Sequence, residues 1–381
     1  MDLHFPRPKL AMDLATAVLG RSLFSQPSLF LAAPRRTGKS EFINRDVVPA
    51  LRELGACVIY VDLWKDQKAD PAELVAHVVA KELAVRQGVV ARAAAVIGLQ
   101  KVSIQGVEFE LGAVGKAAGA ALSDALHELH RVVDMPIVLI IDEAQHVIAR
   151  ESAMAVMFAL KSARDTLNVD GRKFGLIMSG SDRDKLLRLV TGNAAPFLGS
   201  DITELPLLDQ EFVHHAAGLL ALEKPGWTFN NLRLHNAFVE FAYQPEFFFR
   251  AIQRASAAFS GPPGEFHDRL DQAAADYRTA RAAEYTATYC AMTPVQQAML
   301  ARVLQGAGVF TQDALLEYAR LKDPAANDPL SPGSARDAMN KLREQSPPVI
   351  WRSAHGEYAA EDSGMKSWYR DLATRNGWPP A

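Results

Sequence analysis

The feature that most constrains this chain is an apolar segment that runs into a glycine-containing loop and then a helical pattern. Residues 28–33 read Ser-Leu-Phe-Leu-Ala-Ala, and residues 33–40 continue as Ala-Pro-Arg-Arg-Thr-Gly-Lys-Ser. This is the G-x-x-x-x-G-K-[ST] pattern of a phosphate-binding loop, except that Ala33 replaces the first glycine. Such a loop points backbone N–H groups at phosphate oxygens, and the following helix adds its positive N-terminal end. The alternative is a chance Gly-Lys-Ser at a helix start, and the apolar strand before the loop argues against it.

Individual residues of this loop have predicted roles. We expect Lys39 to reach the β- and γ-phosphates of ATP, and Ser40 to give one oxygen ligand to Mg²⁺, a cation that prefers oxygen. Gly38 allows close approach of the backbone to the phosphates, since it has no Cβ. The residues of the loop predicted to bind the cofactor are Pro34, Arg35, Arg36, Thr37, Gly38, Lys39 and Ser40.

A second motif lies about 100 residues later, where an apolar segment ends in two acids. Residues 137–146 read Ile-Val-Leu-Ile-Ile-Asp-Glu-Ala-Gln-His. A carboxylate at the carboxyl end of a parallel strand lies in the crevice where nucleotides bind. Asp142 is therefore predicted to hold Mg²⁺ through water, and Glu143 to act as the general base on the attacking water. The alternative is a strand that simply ends in solvated acids.

Two further apolar segments end in polar residues. Residues 174–179 end at Ser179, which is predicted to hydrogen-bond the γ-phosphate or the attacking water; the alternative is a plain Ser-Gly turn. Asp62 and Trp64 follow the segment at 56–62 and have no predicted role, although parallel strands would bring them to the same edge of the sheet.

The alternation of segments predicts an α/β fold, a three-layer P-loop NTPase domain with a parallel sheet. The first four strands are nearly continuous in apolar residues, as expected for strands buried on both faces. A segment around Gln105-Gly106 predicts a hairpin inserted before the third strand. Strands are predicted at 28–33, 56–62, 136–142, 174–179 and 201–206, and helices at 39–54, 71–85, 117–133 and 152–167.

The remainder of the chain is mainly helical in pattern. Residues 209–260 predict helices, and Ser-Gly-Pro-Pro-Gly at 260–264 marks a boundary. Three helical patterns and two short strands then predict a winged helix. A charged helix at 266–291 precedes these elements, which are predicted as helices at 294–305, 311–321 and 334–345 and as strands at 349–352 and 357–360. The predicted domains are a P-loop ATPase core at 1–208 with a hairpin insertion at 100–112, a helical lid at 209–264, a connecting helix at 265–291 and a winged-helix domain at 292–381.

Composition excludes several other classes of protein. The 41 Lys and Arg residues against 44 Asp and Glu give a net charge of -3, so bulk charge does not drive binding to a polyanion. The two cysteines suit a reducing cytoplasm better than a disulfide framework. No apolar run is long enough for a membrane span, and residues 1–9 lack the apolar core of a signal peptide. We therefore expect a cytoplasmic protein without a membrane partner.

Taken together, the motifs resemble those of the P-loop ATPases of the AAA+ and STAND superclass, and in particular the archaeal-type ATPase family. The Pro-Arg dipeptide at 34–35 is the most family-specific part, and the resemblance covers roughly residues 5–260. It implies ATP and Mg²⁺ as cofactors, ATP hydrolysis, a helical lid, a C-terminal winged helix and self-association on ATP binding. The segments that carry it are 33–40, 58–64, 140–145 and 178–181.

Two departures from the family pattern concern arginine. Family members often carry a Pro-Leu-Tyr-Gly-Arg-like segment before the fifth strand, whereas residues 195–201 here contain no arginine. The Gly-x-Pro of the lid is replaced by Tyr-Gln-Pro at 243–245, which places Gln244 and Pro245 as the predicted residues near adenine. The remaining candidates for an arginine finger or sensor are Arg183, Arg188 and Arg250, and for a sensor also Arg254. Such an arginine is worth about 10³-fold or more in the rate of hydrolysis. Because the arginines of the family pattern are missing here, we expect slow hydrolysis of the kind found in a switch.

The third helix of a winged helix enters the major groove in DNA-binding members of the class. Here that helix spans 334–345, with Ser334 as the predicted N-cap and Ala338, Met339 and Leu342 as the core stripe. The predicted contacts to double-stranded DNA are Arg336, Asn340, Lys341 and Arg343. Residues 331–360 hold four basic and three acidic residues, which is little positive charge for a phosphate backbone. A DNA-associated ATPase, a signalling switch that binds a protein client and a nucleotide-binding scaffold therefore stay open as functions.

Overall fold

A computed structural model describes most of the chain. The described residues are 2–23, 25–65, 69–87, 101–104, 107–110, 116–149, 151–181, 183–192, 195–257, 261–345, 347–352, 358–362 and 364–374. The chain divides into two compact units, His4–Pro206 and Leu207–Ala381, the latter with Met1–Leu3. Within the described residues, no helix combines the length and the apolar character needed to cross a membrane.

A five-stranded parallel sheet forms the centre of the N-terminal unit. Its order is β2-β5-β6-β1-β7, so β6 separates the strand before the phosphate loop from the strand that ends in Asp142. A separate antiparallel pair, β3 and β4, forms a second sheet. The strands are β1 (Ser28–Ala32), β2 (Cys57–Asp62), β3 (Lys101–Ile104), β4 (Val107–Glu110), β5 (Ile137–Asp142), β6 (Phe174–Gly180) and β7 (Ile202–Glu204). Gln105 and Gly106, on which the predicted hairpin was centred, lie outside the described residues.

Helices cover both faces of this sheet, which confirms the three-layer α/β prediction. Leu139 of β5 packs in a core with residues of α4, α5 and α6, whereas Val138 and Ile140 pack in a core with α1 and the helix after the phosphate loop. Every residue of β5 is buried, but β2 is an edge strand whose residues alternate between buried and half-buried. The expectation of full burial on both faces is therefore wrong for β2. These helices are α1 (Pro8–Val18), α2 (Lys39–Phe42), α3 (Val48–Glu53), α4 (Pro71–Gln87), α5 (Lys116–Val133), α6 (Glu151–Leu167) and α7 (Arg183–Val190).

The helix after the phosphate loop is interrupted by a π-helical segment at Ile43–Val47, between α2 and α3. The sequence predicts one regular helix over residues 39–54. Pro49 has no N–H to donate to the carbonyl of Arg45, so the regular α-helical pattern is broken at this point. The wider turn places Asp46 where its Oδ1 lies 3.0 Å from Nε2 of His4.

The first part of the C-terminal unit is helical, with an aromatic core. Phe212, Phe238 and Phe248 pack ring against ring, and Phe241 packs against Tyr277. The helices are α8 (Gln210–Glu223), α9 (Asn231–Glu240), α10 (Pro245–Ala255) and α11 (Phe266–Cys290). The first half of α11 packs against these helices, and its second half packs in the core of the elements that follow.

Those elements comprise helices and an antiparallel strand pair around one core. They are α12 (Pro294–Gln305), α13 (Gln312–Lys322), α14 (Pro332–Glu344), β8 (Ile350–Arg352), β9 (Tyr358–Ala360) and α15 (Gly364–Ala373). The predicted strand residue Glu357 lies outside the described residues. Met339 and Leu342 are fully buried, as predicted, and Ala338 packs against the same core. The final helix, whose Trp368 and Tyr369 pack on Tyr289, was not predicted.

The N-cap of α14 differs from the prediction. Ser331, not Ser334, is the N-cap residue, and its Oγ accepts a hydrogen bond from the backbone N–H of Ser334 at 3.2 Å. Pro332 then occupies the first helical position, where the missing N–H costs nothing. The helix therefore begins two residues earlier than the sequence pattern suggested.

Candidate active site

The loop between β1 and α2 has the backbone geometry of an anion-binding turn. Arg36 and Gly38 both have positive φ angles, 66° and 82°, and Thr37 between them is buried. The Thr37 hydroxyl donates to the carbonyl of Pro34 at 2.8 Å, which closes the loop on itself. Alternating left-handed residues turn successive N–H groups to one side, where they form an anion-binding concavity.

Lys39 lies at the centre of a buried cluster of charge. Its Nζ is 2.5 Å from Oδ1 of Asp142 and 2.9 Å from Oε1 of Glu143, and the Lys39 and Asp142 residues are only 6% and 1% exposed. The strand order explains the approach, because β6 lies between β1 and β5 and Ser179 at its end contacts both partners. Ser179 donates to Oδ1 of Asp142, and its Oγ lies 3.4 Å from Nζ of Lys39.

Asp142 accepts hydrogen bonds from several directions. The Ser40 hydroxyl reaches Oδ2 at 2.5 Å, and the Tyr60 hydroxyl reaches the same oxygen at 2.9 Å. Burial raises the pKa of Asp142, but the charge and hydrogen bond of Lys39 and the hydroxyls of Ser179 and Ser40 outweigh it, so the pKa lies below its usual value. Burial and the nearby Asp142 charge raise the pKa of Tyr60 well above its usual value, so Tyr60 stays a hydrogen-bond donor.

Glu143 is held by a second set of groups. Its φ angle is 57°, an unusual backbone conformation for glutamate of the kind that clusters at functional sites. Oε2 accepts hydrogen bonds from the Gln145 amide and, at 3.2 Å, from the Ser181 hydroxyl. Gln145 is 3% exposed and also donates to Ser181 at 3.2 Å. The carboxylate that the sequence predicts as general base is therefore fixed on three sides, by Lys39, Gln145 and Ser181.

The groups at this edge fit Mg²⁺. Ser40 and Asp142, the two predicted ligands, present oxygen atoms within 2.5 Å of each other, and Mg²⁺ takes oxygen ligands from one or two protein groups together with water and phosphate. Across the described residues, no group of three or more His, Cys, Asp or Glu side chains is arranged to hold a metal ion. Ser40 and Asp142 thus fit a magnesium ion that also takes water and phosphate oxygens as ligands.

Three side chains in contact with one another border the same site. The Arg35 guanidinium carbon lies 5.6 Å from the centre of the Trp64 ring, and the Trp64 ring lies 5.1 Å from that of His146. Arg35 also donates from Nε to the Ser181 hydroxyl at 3.3 Å. These contacts join the phosphate loop, the turn after β2 and the short helix after β5. Trp64, for which the sequence suggested no role, thus contacts a loop residue.

The predicted arginine fingers and sensors lie in different surroundings. Arg183 forms an ion pair with Glu204 of β7. Arg188 is exposed on α7. Arg250 pairs with Glu246 one turn earlier on α10 at 2.6 Å, and Arg254 is exposed on the same helix. For Arg183 and Arg250, the positive charge already has a carboxylate partner in the same chain.

Gln244 and Pro245, predicted to lie near adenine, belong to the C-terminal unit. Pro245 is the first residue of α10, and Gln244 precedes it as the N-cap residue. The side-chain oxygen of Gln244 accepts a hydrogen bond from the Tyr277 hydroxyl of α11 at 3.2 Å. Ala242 and Tyr243 have positive φ angles, so the turn before α10 is tight.

The four predicted DNA-contacting residues lie on α14. Arg336 and Lys341 are exposed, whereas Asn340 and Arg343 are half-buried and joined by a hydrogen bond of 3.1 Å from Nη1 of Arg343 to Oδ1 of Asn340. The acidic residues Asp337 and Glu344 are exposed on the same helix.

Like Trp64, the residues Tyr60, Gln145 and Ser181, which contact the acidic pair, had no predicted role. Ser181 lies two residues after Ser179 in the chain, and Gln145 lies three residues after Asp142. The short helix Ala144–Ala149 turns Gln145 back over Glu143. Gln145 could have been found from its position three residues after Asp142. Tyr60 could not, because it reaches Asp142 only through the pairing of β2 with β5.

Comparisons with known proteins agree with this geometry. Residues 21–187 match a family model described as "AAA domain", a range that includes the phosphate loop, the acidic pair and Ser179. No curated protein matches the sequence. The ADP form of the ORC2 protein of Aeropyrum pernix aligns over 98% of both chains with a TM-score of 0.58 and 13% identity.

Two other solved structures resemble the chain over nearly its whole length. The ORC2 protein of Aeropyrum pernix in ADPNP-ADP complexes covers 96% of this chain and 94% of its own, with a TM-score of 0.52 and 14% identity. A Walker-type ATPase of Pyrococcus abyssi covers 96% and 95%, with a TM-score of 0.50 and 15% identity. At these identities the likeness concerns the fold.

The class of protein follows from the fold, the site and the family match. Residues 21–187 match the model of an AAA domain, and the chain has an α/β P-loop NTPase fold like that of the similar solved structures. The resemblance drawn from the motifs is thereby confirmed.

Proposed function

We propose that this protein is a Mg²⁺-dependent ATPase that acts as a nucleotide-driven switch. The observation that carries the proposal is the buried contact of Lys39 with both Asp142 and Glu143 at the mouth of a phosphate-loop turn. Two of the similar structures are of an ORC2 protein, one in its ADP form and one in ADPNP-ADP complexes, and a third is of a Walker-type ATPase. Those are other proteins, but they support the same ligand class here.

The chain's own residues would divide the work of hydrolysis. The loop N–H groups and Lys39 would bind the phosphates, and Ser40 with Asp142 would hold Mg²⁺, which would supply positive charge to the phosphate groups. Glu143 takes a proton from the attacking water, whose oxygen bonds to the γ-phosphorus. The bond between that phosphorus and the bridging oxygen breaks, and its electron pair leaves with ADP.

The test of this function measures ATP binding and phosphate release separately. We expect Glu143→Gln to lower the rate of phosphate release by about 100-fold or more while ATP affinity, measured by calorimetry, changes little. Lys39→Ala should abolish measurable ATP binding. Glu53→Gln, which alters an exposed carboxylate of α3, and Lys9→Ala, which alters an exposed lysine of α1, are the matched controls. Wild-type protein that binds no ATP, or Lys39→Ala that binds it normally, would refute the proposal.

We also propose that the C-terminal region is a winged helix that binds double-stranded DNA through α14. Its helices, its strand pair β8–β9 and the exposure of Arg336 and Lys341 support this proposal. Substituting both residues with alanine should weaken duplex binding at low salt and reduce its salt dependence, because phosphate contacts release counterions. Arg320→Ala on α13 is a control for loss of an exposed arginine, and an absence of duplex binding at low salt would exclude DNA as the partner.

A second candidate function replaces DNA with a protein client. The observation that favours it is the mixed charge on the exposed part of α14, where Asp337 and Glu344 accompany Arg336 and Lys341. In this case α14 would signal the nucleotide state to a partner protein. Alanine at Arg336 and Lys341 would then leave DNA binding unchanged. Sedimentation with ATP and with ADP tests the related proposal that ATP binding drives self-association.

A further inference from the structure

We propose that Arg35 of the phosphate loop is the arginine that stabilises the charge on the γ-phosphoryl group, supplied in cis. The inference rests on the proposed ATPase function and extends it, since it assigns a catalytic role that the finger and sensor candidates leave open. It starts from the position of Arg35 beside Glu143 and from the ion pairs formed by Arg183 and Arg250.

One hydroxyl group separates Arg35 from Glu143. Ser181 Oγ accepts hydrogen bonds from Nε of Arg35 at 3.3 Å and from the Gln145 amide at 3.2 Å. Because guanidinium and amide N–H groups can only donate, the Ser181 proton is directed to Oε2 of Glu143, 3.2 Å away. Arg35 is therefore fixed at the carboxylate that must lie next to the attacking water.

Arg35 differs from the earlier candidates in the state of its charge. Among the described residues it has no carboxylate partner; it contacts the Ser181 hydroxyl and the Trp64 ring instead. Lys39, by contrast, is shared between Asp142 and Glu143, so the positive charge of Lys39 is more than balanced within the protein. A triphosphate entering this edge needs further positive charge, and Arg35 carries it on the loop itself.

Trp64 orients this arginine. A guanidinium is planar and stacks on aromatic faces, so the ring limits its rotation while leaving its N–H groups able to bind a phosphate oxygen. The ring is itself held by His146 at 5.1 Å and by the turn in which the N–H of Trp64 donates to Oδ1 of Asp62 at 2.8 Å. Trp64 is thus a positioning residue for Arg35.

The role predicts a specific change in chemistry. As the bond from the γ-phosphorus to the bridging oxygen breaks and its electrons pass to ADP, charge is spread over the γ-phosphoryl oxygens. A fixed guanidinium stabilises that charge, and arginines in this role are worth about 10³-fold or more in rate. ADP lacks the γ-phosphate, so its affinity should not depend on Arg35.

The experiment uses the full chain and compares binding with turnover. Calorimetry with Mg²⁺ measures affinity for ADP and for a non-hydrolysable ATP analogue, and phosphate release measures turnover, in wild type, Arg35→Ala, Arg35→Lys and the control Arg52→Ala. Arg52 is also an exposed arginine, and it lies on α3, outside the site.

We expect Arg35→Ala to lower turnover by at least about 100-fold and analogue affinity by about 10-fold, with ADP affinity unchanged. Arg35→Lys should recover a small part of turnover, because lysine lacks the planar fork. Wild-type turnover in Arg35→Ala, or equal losses of ADP and analogue affinity, would overturn the role of Arg35 while the ATPase function stands. Wild-type protein that binds neither nucleotide would overturn the proposed function and this role together.

Discussion

The carboxyl edge of the parallel sheet and the exposed face of α14 both collect charged side chains, but they hold them in opposite ways. At the sheet edge Lys39 and Asp142 are 6% and 1% exposed and contact each other directly. On α14, Arg336 and Lys341 are exposed to solvent.

The difference in burial teaches which charges indicate a site. Moving an ion out of water costs several kcal/mol, and a buried pair often stabilises a fold no better than apolar residues would. Lys39 and Asp142 are therefore best explained by chemistry at that edge and not by stability. Exposed charges carry no such cost, so the charges of α14 do not by themselves indicate a binding site.

The largest effect that separates the two regions should come from the buried carboxylate. Asp142→Asn removes the charge that Lys39 and Ser40 contact, and we expect Mg²⁺-dependent ATP affinity or turnover to fall by up to about 100-fold. Asp337→Asn, the same change on exposed α14, should leave both unchanged. Calorimetry with and without Mg²⁺ measures the contrast, and equal effects of the two substitutions would contradict it.

Two glycines offer a comparison of packing. A Cβ at Gly180 would overlap Oε1 of Gln145 and lie 3.0 Å from Cδ1 of Leu186, so Gly180→Ala should destabilise the protein by about 1–3 kcal/mol and displace Gln145 from Glu143. Gly218 lies in α8 with open space at the Cβ position, so Gly218→Ala should stabilise by about 0.5–1 kcal/mol.

Denaturant unfolding followed separately for each variant tests this pair. A Gly180→Ala variant as stable as wild type would show that the contact between β6 and Gln145 is not tightly packed.

The buried carboxylate also predicts a pH dependence. Although burial raises the pKa of Asp142, Lys39 and the hydroxyls of Ser179 and Ser40 lower it further, so its folded pKa lies below the unfolded value of about 4. Its stabilising contribution is then fully present above about pH 4 and is lost as the pH falls through the folded pKa. Thermal unfolding between pH 3 and 7 should show the advantage of wild type over Asp142→Asn shrinking at low pH. A constant difference would contradict the lowered pKa.

The smallest effect concerns the start of α14. Ser331→Ala removes the N-cap and should cost about 1 kcal/mol of stability, whereas Ser334→Ala should cost less than about 0.5 kcal/mol. Thermal unfolding of the two variants compares them directly. The reverse order would restore Ser334 as the cap.

Most of the N-terminal fold could be predicted because its signals are local. The continuous apolar segments at β1, β5 and β6 lie between helical patterns, and buried parallel strands require that composition. β2 differs because its place at the edge of the sheet is a property of strand order, which no single segment encodes. The C-terminal helix α15 was not predicted, although its buried residues Met365, Trp368 and Tyr369 lie at helical spacing.

The residues of the candidate site also differ in whether a local sequence signal indicates them. Lys39, Asp142 and Glu143 are recognisable because each lies at a fixed distance from the end of an apolar strand. Tyr60 and Ser181 are not, since their contacts depend on which strands are neighbours and on the direction of side chains after the strand ends. The arginine candidates also needed the structure, because the sequence shows how many arginines exist but not which have carboxylate partners.

The sequence by itself determined the class of this protein, through a strand-loop-helix motif and an acidic pair whose spacing belongs to local backbone chemistry. The tertiary structure alone decided how these segments act together. It put β6 between β1 and β5, and it brought Arg35, Ser181, Gln145 and Glu143 into one hydrogen-bonded chain. The physical reason is that hydrogen bonds and ion pairs act over a few ångströms, and only packing makes residues more than 100 positions apart into neighbours.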